Sequence, residues 1–269
     1  MGAPINYPAR NFGARGFPPA SAGACFKAMK STLAALCVLA AGLMLSGCST
    51  PSPEALAQHD PWEATNRDVF AFDVWVEHHV ADPVDDGYRA VVPQPAREGV
   101  HNVTTNLHEP IVLANDVLQG DSKKTVRTLG RILINSTVGL GGLIDVAARI
   151  GIPYHDNDFG ITLGQDGIAE GSYLVLPLAG PMPPRDLLGS AVDGVFDLFS
   201  YTRFPGRHTF LYARTGLRVL DTVDQSRDQF DSIERSSIDF YATTRNLYRQ
   251  SRDARIKGDD STATQLPDL

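Results

Sequence analysis

Lys30, directly after Met29, precedes an apolar run of Leu33, Ala34, Ala35, Leu36, Cys37, Val38, Leu39 and Ala40, then Leu43, Met44 and Leu45, which ends at Ser46-Gly47-Cys48. A helix that spans a bilayer needs about 20 apolar residues, whereas roughly 7–15 of them behind a positive charge form the middle of a secretory signal. The run is therefore an export address. Where it ends constrains the fold further: of the three cysteines, Cys25 and Cys37 lie before a cut at Cys48. The exported chain of about 220 residues, a length that suits one domain, then has to fold without a disulfide and without thiol chemistry.

Leu45-Ser46-Gly47-Cys48 resembles a lipobox, in which an apolar residue and two small residues fit a narrow peptidase site ahead of a cysteine. That resemblance makes Cys48 the first mature residue and the lipidation site, with a diacylglyceryl group on its thiol and a further acyl chain on its amino group; no other cofactor is expected. Each buried methylene contributes about 0.8 kcal/mol and stable anchoring takes about two chains, so such an anchor holds a protein on a membrane by itself. Ser49, and not an aspartate, follows the cysteine, which for bacterial lipoproteins implies the outer membrane.

The expected organisation is an N-terminal extension and signal at 1–47, removed; a lipidated tether at 48–59 with Pro51 and Pro53; a helical domain at 60–257; and a disordered tail at 258–269. Asp60-Pro61 reads as a helix start, with the carboxylate as cap and proline in the first turn. Val69, Phe72, Val76 and Val80 recur every three or four residues, with Phe70 and Trp75 widening an amphipathic stripe. Pro83 and Gly87 read as a break, Ala96, Val100, Val103 and Leu107 as another helical face, and Pro110 as the opening of a segment apolar on nearly every side to Leu118. Asp121-Ser122 caps a further helix, which Val138-Gly139-Leu140-Gly141-Gly142-Leu143 interrupts.

Residues 151–185 are rich in Gly and Pro and read as irregular, with one short extended run at 173–178. Helical patterns resume at Asp186, with Leu188, Val192, Val195, Phe196 and Phe199, and over 209–255. About seven helices and almost no strand give an all-α fold class. By the ordinary default their apolar faces would pack inward as core; a membrane anchor opens the alternative that they lie in the interface.

Several stretches together resemble the MlaA/VacJ family of lipoproteins. They are Asp60-Pro61-Trp62-Glu63 with Asn66-Arg67 and Phe70-Ala71-Phe72; Tyr88-Arg89-Ala90-Val91-Val92-Pro93; Asn106-Leu107 with Glu109-Pro110; and Asn115-Asp116 with Leu118-Gln119-Gly120. Asn135-Ser136-Thr137-Val138-Gly139-Leu140-Gly141-Gly142, Asp158-Phe159-Gly160, Tyr173-Leu174-Val175-Leu176-Pro177 and Arg185-Asp186 follow in the family's order, with Trp62 where Phe is more usual.

The resemblance implies a ring-like assembly of amphipathic helices in the periplasmic leaflet of the outer membrane, with a central channel, beside a trimeric porin. Phospholipids misplaced in the outer leaflet would pass through it to a soluble periplasmic lipid-carrier protein, preserving lipid asymmetry, and the chain would not be an enzyme. For the phospholipid channel it points to Asn66 and Phe70 as wall, against a helix cap and a core aromatic, and to Gly139, Gly141 and Gly142 as a hinge, against close packing or a turn.

Other functions find less support in the residues. The glycines at 139–142 lack the lysine of a phosphate-binding loop, and no Gly-x-Ser-x-Gly elbow occurs. His155-Asp156-Asn157-Asp158 reads as a solvated loop in preference to a metal site, since four adjacent side chains cannot all face one ion. A net charge of −7 lacks the basic footprint of a nucleic-acid binder. Two alternatives stay open: a structural lipoprotein that scaffolds porins or the envelope, and a lipid hydrolase using His155 with Asp156 or Asp158.

Overall fold

The computed structural model describes residues 51–259; Cys48, the export segment and the tail from residue 260 onward lie outside the described residues. The chain forms α1 (Pro53–Ala57), α2 (Glu63–Val76), a π-helical turn (Glu77–Ala81), α3 (Asp82–Val91), α4 (Gln94–Leu118), α5 (Ser122–Thr137) and α6 (Val146–Arg149). After these come α7 (Phe159–Gln165), a minimal antiparallel hairpin of β1 (Val175–Leu176) and β2 (Gly180–Pro181), α8 (Pro184–Phe196), a 3-10 turn (Leu198–Ser200), α9 (Arg207–Ser236) and α10 (Phe240–Ile256).

Several boundaries differ from the sequence reading for identifiable reasons. Pro83 lies in the first turn of α3, where its missing N–H goes unused, and the chain stays helical through the π turn and Gly87. Pro110 lies inside α4 and does not open a new segment, although an interior proline disfavours helix by about 3 kcal/mol. Burial of Ile111 and Val112 right after it offsets that cost. Residues 53–57 of the expected tether form α1, capped by Ser52, whose hydroxyl accepts from the Ala55 amide at 3.0 Å. The expected irregular segment contains α7, whose N-cap is Asp158, accepting from the Ile161 amide at 2.8 Å.

Asp60 is no helix cap. It is fully buried and accepts from Asn66 Nδ2 at 2.8 Å, the Tyr241 hydroxyl at 2.5 Å and Arg245 Nη1 at 2.7 Å. Asn66 in turn clamps the hairpin onto α2, donating to the Tyr173 carbonyl and accepting from the Val175 amide, both at 3.0 Å. Phe70, one turn on, meets Phe240 and Tyr241 edge-on at ring distances of 5.1 and 5.6 Å, beside a small core of Tyr173, Val175, Tyr241 and Tyr248.

The packing of the larger elements closes on itself. α4 packs on α9, α9 on α10, α10 on α7, α7 on α8, and α8 back on α4, with α5 along the outside of α4. Burial in this ring is inverted: among the described residues ten hydrophobic side chains are buried against twenty-three polar or charged ones, while twenty-nine large hydrophobic side chains are exposed. α5 shows it within one helix, since Thr128, Arg131 and Asn135 are at most 2% exposed while Val126, Leu129 and Leu133 are 45–70% exposed. The default that apolar stripes face the core is thereby corrected. No described helix is long and apolar enough to cross a membrane.

Asn66→Ala removes a donor and an acceptor from a buried cluster and strands the Val175 amide, a loss of about 1–3 kcal/mol. We expect a lower urea-unfolding midpoint for the purified variant; a midpoint equal to wild type would contradict the clamp.

Candidate functional site

The ring frames two adjoining, partly open cavities of about 340 and 450 Å³. α4 contributes His101, Thr104, Thr105 and His108; α9 contributes Arg214, Arg218, Asp221 and Thr222; α10 contributes Tyr248, Arg252 and Arg255. α8 adds Ser190 and Asp193, and the segment before α7 adds Asp156 and Asp158. His108, Asp156 and Arg218 line both cavities and mark where they meet.

Beside apolar Ile111, Leu211 and Val219, the lining carries several paired charges. Arg214 Nη1 bonds both oxygens of Asp197 at 2.7 and 2.8 Å, and Arg255 Nη1 bonds Asp156 at 2.7 Å. Arg252 bridges Asp158 and Asp186. Asp221 accepts from Thr104 at 2.6 Å and pairs with His101 at 3.2 Å, a contact that raises the His101 pKa. Burial pushes His108 down to about 4, helped by Arg218 and Arg214, so at neutral pH its ring is uncharged. Arg218 can only donate, so His108 Nδ1 accepts from it at 3.3 Å and the ring proton sits on Nε2.

Behind the lining lies a second polar layer that includes the segment expected to be a solvated loop. His155 and Asn157 are 8% and 2% exposed and converge on Asp116, at 3.0 and 2.7 Å, where Thr128 also donates at 2.5 Å. The hydrolase pair is thereby dispersed: His155 faces Asp116, while Asp156 and Asp158 are held by Arg255 and Arg252. Among the described residues no cluster of His, Cys, Asp or Glu could hold a metal ion. The alternation His155/Asn157 against Asp156/Asp158 was the available signal for this arrangement, together with Arg252 and Arg255 three apart on a helix.

Asn66 and Phe70 line neither of these two cavities: the first bonds Asp60 and the hairpin, and the second packs on α10. The arginines and His108, which do line them, were missed because their acidic partners lie far away in the chain.

Helices that enclose a charged interior behind an apolar exterior match one family model, that of the MlaA lipoprotein, over residues 58–255. The chain belongs to the MlaA lipoprotein family. Similar relatives include the intermembrane phospholipid transport system lipoprotein MlaA of Escherichia coli strain K12, 32% identical over 89% of this chain and 94% of the relative. The protein of the same name from Haemophilus influenzae is 29% identical over 82% of this chain and 89% of its own length. A solved structure from work on the structural basis for maintenance of bacterial outer membrane lipid asymmetry superposes with a TM-score of 0.65 at 32% identity, covering 73% of this chain and 98% of that one.

The glycine stretch follows α5. A Cβ on Gly139 would lie 2.3 Å from the Ile144 carbonyl oxygen and 2.5 Å from that of Asn135, and one on Gly142 (φ +94°) would lie 2.6 Å from Asn106 Cβ on α4. Gly141 (φ +73°) faces open space. Close packing thus needs Gly139 and Gly142, and turn geometry needs Gly141; the tip they build exposes Val138, Leu140 and Leu143. Gly141→Ala is expected to cost only the left-handed backbone penalty of about 1–2 kcal/mol. Gly139→Ala and Gly142→Ala should lower the thermal midpoint clearly more, because atoms must also shift; equal midpoints in all three variants would refute the packing role.

Proposed function

We propose that this chain removes phospholipids misplaced in the outer leaflet of the outer membrane and passes them to a soluble periplasmic lipid carrier, so maintaining lipid asymmetry. The observation that carries this reading is the inversion of burial: of twenty-nine exposed large hydrophobic side chains among the described residues only Tyr154 and Val219 line the two cavities, and ion pairs lie within. An apolar exterior suits acyl chains, and a polar lumen spares the headgroup the large cost of entering hydrocarbon. The names of the relatives, with intermembrane phospholipid transport in them, support the same substrate.

In this reading the chain is held on the periplasmic leaflet by the diacylglyceryl and N-acyl groups of Cys48, and it sits beside a trimeric porin; both partners follow from the family resemblance. The glycine turn, whose Gly142 presses on Asn106 of α4, acts as the hinge that adjusts the channel. Passage proceeds without hydrolysis, consistent with the engagement of His155, Asp156 and Asp158 in structural pairs.

The test is chemical labelling of outer-leaflet phospholipid in intact cells that carry the wild-type chain, a deletion, or Cys48→Ala. Labelled phospholipid should rise in both mutants. An unchanged level in both, with porin binding retained in the wild type, would replace the transport reading with a scaffold.

A further inference from the structure

The guanidinium groups around the two cavities are not equivalent. Arg214, Arg252 and Arg255 each hold a carboxylate, and Arg218 has none within ion-pair distance among the described residues. Among the described residues its one hydrogen-bond partner is the uncharged ring of His108, at 3.3 Å. On α9, Arg218 follows Arg214 by one turn, and it is exposed to the lumen where the cavities meet.

His108 also explains why this cation stays unpaired. Its Nδ1 edge meets Arg218, and its Nε2 edge lies 3.8 Å from Asp156. The imidazole stands between them, and Asp156 is already held by Arg255 at 2.7 Å and by the Tyr154 hydroxyl at 3.2 Å. His108 adds no second positive charge, since burial keeps it neutral.

We propose that Arg218, positioned by His108, is the resting place of the phosphodiester group of a phospholipid headgroup as it crosses from one cavity to the other. This assignment rests on the lipid-passage reading above. A guanidinium offers a planar set of donors that matches two phosphate oxygens at once. Each cavity falls in the roughly 300–1,000 Å³ range of small-molecule sites, the scale of a headgroup. One exposed cation attracts the phosphate without the permanence of a closed, fully desolvated pair, as a transit site requires.

The test equilibrates the purified full chain, in detergent, with phosphatidylglycerol, phosphatidylethanolamine, diacylglycerol or inorganic phosphate, for wild type, Arg218→Gln and Arg218→Lys. Wild type should retain both phospholipids in preference to diacylglycerol. Arg218→Gln should weaken phospholipid retention about tenfold or more while leaving diacylglycerol unchanged, as loss of charge-assisted bonds does. Arg218→Lys should restore part of the difference. Equal phospholipid retention by Arg218→Gln and wild type, with matching unfolding midpoints, would overturn the assignment. Inorganic phosphate bound by wild type and lost in Arg218→Gln, with phospholipid retention alike in both, would assign the site to free phosphate and overturn it too. A wild-type chain that retains no phospholipid at all would overturn lipid passage itself, and this site with it.

Discussion

Arg131 is 2% exposed, with Glu109 on one side at 2.6 Å and Asp145 on the other at 2.9 Å. A buried guanidinium without such partners would cost several kcal/mol, so the three segments that carry these groups have to stay in register. The motif recurs: Arg245 with Asp60 joins α10 to the chain before α2, Arg227 with Asp85 and Asp86 joins α9 to α3, and Arg252 joins α10 to α7 and α8. Burial pushes Glu109 up to about 7 even beside Arg131, a measure of how dry this layer is. Cross-links of this kind do much of what an apolar core does elsewhere, and they leave the apolar side chains free to point outward.

How the helices form was legible in the sequence, and which way they face was not. Spacing at Val69, Phe72, Val76 and Val80 marks an amphipathic helix, but periodicity states only that two faces differ. On α5 the stripes Val126/Leu129/Leu133 and Thr128/Arg131/Asn135 are equally regular, and only the structure shows that the polar one is buried. The lipobox was the sequence's one hint that the ordinary direction could reverse. Prolines misled for a related reason: Pro110 reads as a boundary in isolation, yet α4 continues through it, with Ile111 and Val112 buried directly after.

The lumen was harder to see. Arg252 and Asp158 are 94 residues apart and Arg255 and Asp156 are 99 apart, so no local motif records them. Family resemblance brought the channel and pointed to Asn66 and Phe70, whose conspicuous residue types serve the junction of α2, the hairpin and α10. At the glycine stretch the structure shows the alternative of close packing and a turn, because positive φ and close approach are demands that glycine alone meets cheaply.

The central claim is that the outside of this ring faces acyl chains and the inside faces water. It is tested most directly by single spin labels on the chain in bilayers, placed at the outward Val126, Leu133 and Val195 and at the lumenal Thr105 and Thr222. Under the proposed cleavage and acylation at Cys48, each single-cysteine variant has one free thiol. Dissolved oxygen should relax the outer labels most strongly, and a water-soluble nickel complex should relax the lumenal ones. Outer labels relaxed by nickel as strongly as the lumenal labels would contradict it.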